Sequence, residues 1–317
     1  MSNRFLETDK KHNFAKRIDK AMNTTELRFS SNILRDIEHQ FISELTVLYP
    51  EGEISAMFRI LCESYLGYDS VSFLLHRNDA VNQSDMLRFH WALEDLKKER
   101  PIQHIIGYAT FCGCKIEVNP NVLIPRPETE EIVENVLSRY SNSRAPIKAI
   151  DICTGSGCIA IAVKKRFPQC DVYGLDISPS ALDVARRNVE VNNVKVAFFE
   201  HNLLETSSLC EEKYDLILSN PPYIPSSDAK LMSRNVTAYE PPEALFVPDD
   251  NPLVFYEAIA RFATRYLTDK GLLAVEINER FGADVSRLFN EFGFNSQVHQ
   301  DYKGKDRCVT AVLSSQQ

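Results

Sequence analysis

Ile147-Lys-Ala-Ile-Asp-Ile152 followed by Cys153-Thr154-Gly155-Ser156-Gly157 is the stretch that decides the fold. A short apolar run that stops at a glycine turn reads as a buried strand. Cys158–Phe167, stopped at Pro168, reads as the helix after it. The same alternation continues downstream. A strand is predicted over Asp171–Leu175, ending at Asp176, and Ser178 with Pro179 forms a helix start, cap followed by proline at the first turn. That helix runs to Asn192-Asn193, and a strand over Val194–Phe199 leads into His201-Asn202-Leu203-Leu204. Tyr214–Leu218 is the next strand. Helix Pro252–Leu267, strand Leu272–Ile277, helix Phe281–Phe292 and strand Arg307–Leu313 complete the pattern. Repeated βα units imply an α/β domain with a mostly parallel sheet and helices on both faces.

Working outward, the rest divides by texture. Residues 1–28 are polar and lack a sustained apolar face, and are expected to be a flexible extension. Residues 29–100 carry helical periodicity: Ile33, Leu34, Ile37, Phe41, Leu45 and Leu48 share one face before Pro50, and Ile54, Met57, Phe58 and Leu61 share another. A short apolar segment follows at Val71–Leu75, and Ser84-Asp85 is expected to cap a helix bearing Met86, Phe89, Leu93 and Leu96. This predicts a small helical bundle. In residues 101–130, Tyr108–Phe111 and Lys115–Val118 suggest a hairpin that leads into an interdomain linker, Val122–Glu130, whose Arg126 and Glu128 line something. Residues 131–317 are expected to form the α/β domain, which carries the chemistry described below.

Composition excludes several classes. No apolar run approaches the roughly 20 residues that cross a bilayer, and the polar N-terminus has no signal-peptide core. The net charge of −8, with no long basic run, argues against a broad grip on nucleic-acid phosphates. The eight cysteines show no paired zinc spacing and are expected to be reduced thiols in a cytoplasmic protein without metal.

Two places carry chemistry. In the first βα turn, Cys153-Thr154-Gly155-Ser156-Gly157, Gly155 and Gly157 let backbone approach a ligand at a helix start. The third glycine of a dinucleotide fingerprint is absent. Asp176, about 20 residues on, is placed to hold two ribose hydroxyls, and Asn202 and Leu203 are placed for an adenine ring. A nucleoside-like cofactor without a required pyrophosphate is S-adenosylmethionine, with S-adenosylhomocysteine as its product. The second place is Ser219-Asn220-Pro221-Pro222-Tyr223, at the end of the strand before it. Two prolines stiffen this loop and carry no N–H. The Asn220 side-chain oxygen and the Pro221 carbonyl can accept from a planar NH₂ group, and Tyr223 can stack on its face. Alone, an Asn-Pro pair is an ordinary turn; beside a cofactor cradle it is a substrate grip.

On these residues the chain resembles the protein-glutamine N5-methyltransferases that modify peptide chain release factors, from about residue 35 to 313. The matching motifs are Arg126-Pro-Glu-Thr-Glu130, Asp151–Gly157, Asp176-Ile-Ser-Pro-Ser-Ala-Leu182, Ser219–Ile224, Tyr239-Glu-Pro241 with Ala244-Leu245, and Lys305-Asp306-Arg307. The Asn-Pro-Pro-Tyr box is shared with methyltransferases of nucleic-acid amino groups; the Arg126 and Tyr239 segments together point to the release-factor enzymes. The resemblance implies a class I methyltransferase fold, Rossmann-like and seven-stranded with an antiparallel last strand, behind a helical substrate-recognition domain. It implies a glutamine substrate within Gly-Gly-Gln of class I release factors. Residues 153–157, Asp176, Leu203 and Asn220 would contact the cofactor, and Asn220, Pro221, Pro222 and Tyr223 would hold the glutamine. Cys153, Asn202, Asn278 and Phe281 depart from the family's usual Gly, acid, Gly and Gln.

An amide nitrogen is a poor nucleophile, so the expected mechanism is alignment plus acceptors at Asn220 and Pro221 for the growing positive charge, with no catalytic histidine. The stretch from Ile224 to Asn251 is long for a connection and is expected to order around a protein partner. The expected state is a monomer, with no direct nucleic-acid contact and no membrane contact. The rival readings are a nucleic-acid amino methyltransferase, which needs a flipped base, a non-catalytic binding protein of the same fold and, more distantly, an NAD-dependent enzyme.

Overall fold

The structure, a computed structural model, describes residues 29–140, 146–205 and 212–314. The extension expected over residues 1–28 lies outside the described residues. The chain forms two compact units that divide between Ile106 and Gly107.

The first unit packs helices α1 (Leu34–Leu45), α2 (Glu51–Leu66), α3 (Ser70–Leu75), α4 (Gln83–Leu96) and α5 (Ile102–Ile106). Its core is aromatic: Phe41, Phe58 and Phe89 are fully buried, with ring centroids 5.1 Å apart for Phe41–Phe58 and 5.3 Å for Phe58–Phe89. The periodic positions read from the sequence belong to this core, except Leu48, which is exposed, and Ile33 and Met86, which are partly buried. The cap of α4 differs from the expectation. Asn82, not Ser84-Asp85, accepts from the Asp85 N–H at 2.9 Å, so Ser84 and Asp85 lie inside the first turn. Asp69 does the same for α3 through the Ser72 N–H at 2.7 Å, which turns the short apolar segment into a helical turn with only Phe73 buried.

The second unit begins with the hairpin β1 (Tyr108–Phe111) and β2 (Cys114–Glu117). Helix α6 (Pro127–Ser138) starts inside the stretch read as linker, with Pro127 in its first turn and Glu128 and Glu130 at its positive end. Then follow β3 (Lys148–Ile152), α7 (Cys158–Arg166), β4 (Asp171–Asp176), α8 (Pro179–Val191), β5 (Ala197–Glu200) and β6 (Tyr214–Ser219). The remaining elements are β7 (Ile224–Pro225), α9 (Arg234–Thr237), β8 (Phe246–Val247), α10 (Val254–Tyr266), β9 (Leu267–Glu276), α11 (Gly282–Glu291), β10 (Phe294–Gln300) and β11 (Asp306–Leu313). Seven strands form one sheet in the order β10-β11-β9-β6-β3-β4-β5, with β11 antiparallel to both neighbours. Strand β10 escaped the reading of the sequence because it is an edge strand; past Phe294 its residues are polar or half-exposed.

Buried polar groups hold the first βα turn to its surroundings. Asn188 of α8 is fully buried. Its side chain accepts from the Glu117 N–H at 2.6 Å and donates to the Glu117 carbonyl at 3.0 Å and the Ser156 carbonyl at 2.9 Å. One amide thereby ties hairpin, helix and turn together. Below the turn, Asp151 accepts from Thr154 Oγ1 at 2.6 Å and the Ala160 N–H at 3.3 Å through Oδ2, while Oδ1 has no partner among the described residues. Gly174 of β4 is required by space: a Cβ there would lie 2.7 Å from the Phe198 ring and 2.9 Å from Thr154 Oγ1.

Two expectations follow. Gly174→Ala forces Phe198 and Thr154 apart and lowers stability by about 1–3 kcal/mol, read from chemical denaturation. Burial pushes the Asp151 carboxyl up to about 7, against the bonds from Thr154 and Ala160. An unfolded aspartate titrates near 4, so the folded chain binds this proton more tightly. Its contribution, on the order of a few kcal/mol, is present below pH 4 and is lost as pH rises to about 7. This group therefore lowers the melting temperature as pH rises from about 4 to about 7, and Asp151→Asn flattens that slope.

Candidate active site

The chain runs β3-β4-β5 to one side of the sheet and returns at β6 on the other side of β3. The β3/β6 boundary is thus a topological switch point, where open α/β sheets leave a crevice at the strands' carboxyl ends. Ile152 and Ser219 are register partners, and Ser219 Oγ donates to the Ile152 carbonyl at 2.7 Å. The loops that begin at Cys153 and Asn220 therefore emerge side by side.

The first loop turns sharply through left-handed backbone at Cys153 (φ 60°), Gly155 (φ 52°) and Gly157 (φ 79°). Cys153 holds a conformation that glycine adopts without strain, which explains why glycine is usual there. Asp176 closes the turn: Oδ2 accepts from the Gly155 N–H at 2.8 Å and Oδ1 from the Ser178 N–H at 2.9 Å. Burial raises this carboxyl, and the two N–H groups oppose the shift. Each oxygen keeps a further lone pair for a ligand.

A cavity of about 420 Å³ opens in front of this turn, lined by Cys153, Thr154, Gly155, Ser156, Asp176, Asn202, Leu203, Asn220 and Pro222. Gly157 stands behind it instead, where a Cβ would meet Ala185 at 3.1 Å and Phe198 at 3.3 Å. Its place at the start of α7 is one of close packing. Asn202 spends its side chain on its own turn, accepting from the Leu204 N–H and donating to Glu205, both at 3.1 Å. The cavity's charged lining is Asp176 and Glu243, with no Lys or Arg.

A second cavity, about 210 Å³, lies beyond Asn220 and is lined by Leu123, Arg126, Pro221, Tyr223, Val236 and Leu245 among others. Asn220 belongs to both walls; Pro222 faces the first cavity, Pro221 and Tyr223 the second.

Three residues that the reading of the sequence missed control this wall. Asn220 Nδ2 donates to Thr129 Oγ1 at 3.1 Å, and Thr129 Oγ1 donates to Glu276 Oε2 at 2.5 Å. Tyr223 donates to Glu276 Oε1 at 3.0 Å, so its hydroxyl is engaged as well as its ring. Thr129 and Glu276 are buried, at 3% exposure each. Burial raises the Glu276 carboxyl, opposed by the bonds from Thr129 and Tyr223. Glu240, also buried, accepts from the Ile124 N–H at 2.8 Å and pairs with Arg126 at 2.5 Å. Thr129 and Glu240 lie within the Arg126–Glu130 and Tyr239–Pro241 motifs, which marked the family without assigning either residue a role, and Glu276 ends a strand with nothing local to distinguish it.

The stretch Ile224–Asn251 was expected to order around a partner. It carries hydrogen-bonded structure already: β7 pairs with β8 in parallel, and the Glu240 contacts anchor its middle. Asn278 donates to the Tyr223 carbonyl at 3.4 Å and caps the Arg280 N–H, without the left-handed backbone that would demand glycine. Phe281 packs against the apolar core around α10 and α11. His201 stands at the cavity rim with its N–H on the Asp176 carbonyl, as expected of a strand-end residue. Cys112, Glu130 and Glu134 bring potential metal-ligating atoms within 4.8 Å of one another, apart from these cavities; Glu130 already accepts from the Cys112 N–H. Among the described residues no helix is long and apolar enough to cross a membrane.

Comparison with known proteins agrees with this architecture. Residues 132–238 match the family described as Methyltransferase small domain, and residues 39–107 match the PrmC N-terminal domain. The chain is 38% identical over 280 residues to the release factor glutamine methyltransferase of Flavobacterium psychrophilum, covering 87% of this chain and 98% of that protein. It is 37% identical over 265 residues to that of Bacteroides thetaiotaomicron, covering 83% and 94% of the two chains. For the Streptococcus pneumoniae protein of the same name the figures are 40% over 268 residues, 83% and 93%. With both units matched and nearly the whole length of these relatives spanned, the chain belongs to the release factor glutamine methyltransferase family.

Proposed function

We propose that this chain transfers a methyl group from S-adenosylmethionine to the side-chain amide nitrogen (N5) of the glutamine in the Gly-Gly-Gln motif of class I peptide chain release factors, in support of translation termination. The observation that carries the reading is the double placement of Asn220, whose amide forms part of the wall of both cavities. The larger cavity suits the cofactor. Its acids, Asp176 and Glu243, favour a sulfonium and an ammonium and disfavour a pyrophosphate, which argues against NAD. Asp176 would hold the ribose hydroxyls, the 153–156 turn the amino-acid part, and Leu203 with Asn202 the adenine side. When bound, S-adenosylmethionine supplies a methyl group on a positively charged sulfur.

The chain's own residues supply alignment and acceptors. Asn220 Oδ1 and the Pro221 carbonyl would accept the two hydrogens of the substrate NH₂. That draws the nitrogen away from planarity and stabilises the positive charge that grows on it as the N–C bond forms. The Tyr223 ring, held by its bond to Glu276, would pack on the amide face. The extra proton leaves the nitrogen after transfer, so the site calls for no strong base. The same reading takes the protein as a cytoplasmic monomer that acts on a protein partner without a metal and without direct nucleic-acid contact.

The test is methyl transfer from labelled S-adenosylmethionine with purified release factor, DNA and RNA as parallel acceptors. Label mapped to the Gly-Gly-Gln glutamine is expected; label on nucleic acid alone overturns the substrate. Asn220→Ala is expected to lower kcat by about 10²–10³-fold, and near-native turnover would refute the acceptor role. Asp176→Ala should abolish cofactor binding in calorimetry while the fold survives.

A further inference from the structure

We infer that Thr129 and Glu276 are positioning residues that set the polarity of the Asn220 amide, so that its oxygen and not its NH₂ faces the acceptor substrate. The inference rests on the proposed methyl transfer for its kinetic consequence, but its structural content stands apart from it. An asparagine side chain is nearly symmetric in shape and opposite in chemistry at its two ends. A rotation by half a turn would present donors to an NH₂ substrate and abolish recognition. Something must choose the orientation.

Thr129 makes the choice. A hydroxyl has one proton, and that of Thr129 is committed to Glu276 Oε2 at 2.5 Å. Towards Asn220, 3.1 Å away, the Thr129 oxygen can therefore only accept. The NH₂ of Asn220 must point at Thr129, and Oδ1 must point the other way. Glu276 secures the direction by accepting at both of its oxygens, from Thr129 and from Tyr223. With the Tyr223 hydroxyl held at 3.0 Å, one buried acid orients the hydrogen-bonding loop and the stacking ring together. Thr129 and Glu276 are each 3% exposed, which leaves water little access to scramble the chain of donors.

The test compares Thr129→Val, which keeps the shape and removes the hydroxyl, with Thr129→Ser, which keeps the hydroxyl. In turnover with purified release factor at saturating S-adenosylmethionine, Thr129→Val is expected to lose at least tenfold in kcat, and Thr129→Ser to stay within about threefold of wild type. A Thr129→Val enzyme within twofold of wild type, or a Thr129→Ser enzyme that falls as far as the valine variant, overturns the inference. If the valine variant does not fold, Thr129→Ala gives the same reading. A second measurement needs no turnover. In ¹⁵N-edited spectra of the full chain, the Asn220 side-chain NH₂ pair, assigned by its loss in Asn220→Asp, should be slowed in exchange in wild type and Thr129→Ser, and unprotected in Thr129→Val. An unprotected pair in the wild type refutes the inference by itself. A wild type that leaves release factor unmodified refutes the proposed function while the spectra still decide the polarity.

Discussion

Everything at the site depends on the parallel pairing of β3 with β6. Ile152 and Ser219 lie opposite each other, and the Ser219 hydroxyl bonds the Ile152 carbonyl across the gap. A slip of one residue would turn every side chain of β6 to the other face. It would also carry Asn220 away from the turn at Cys153–Gly157. The hydroxyl–carbonyl bond satisfies a group that the strand end would otherwise leave without a partner, and it pins the register where precision matters most. Two cavities that share one side chain are the outcome.

Around that pairing, acids act as fasteners more than as reagents. Asp176 shapes the turn, Glu276 orients Thr129 and Tyr223, and Glu240 ties Ile124 and Arg126 to the segment after the Asn-Pro-Pro-Tyr loop. Such buried acids are a liability unless fully bonded. Glu240 and Glu276 each accept through both oxygens, from groups far away in the chain. The Arg126 and Tyr239 segments, which together marked the family in the sequence, are thus two ends of one contact.

Fold class was legible because strand and helix periods alternate cleanly from Ile147 onward and because Ser178-Pro179 and Gly293 punctuate them. Edge strand β10 was not legible, since a strand with one buried face position gives no alternation to read. The loop residues Asn220, Pro221 and Tyr223 were legible because prolines announce a rigid turn. The roles of Thr129, Glu240 and Glu276 were not, even where a motif contained the residue, because their partners lie 53 to 147 positions away in the chain. The packing of Gly157 against Ala185 and Phe198 was not legible either, because turn chemistry does not announce what stands behind the turn.

The order of the strands has a consequence for how the protein is made. Strand β11 is last in the chain, yet it lies between β9 and β10, and its Cys308 is the register partner of Glu276. As the chain leaves the ribosome, β9 has an open flank until Asp306–Leu313 arrives. The strand that carries the pocket's orienting acid gains its second neighbour only then. Until β11 arrives, β10, the strand made just before it, has no neighbour in the sheet, since β11 is its one partner. A polypeptide cut short before its final strand is a methyltransferase scaffold with an unset active site.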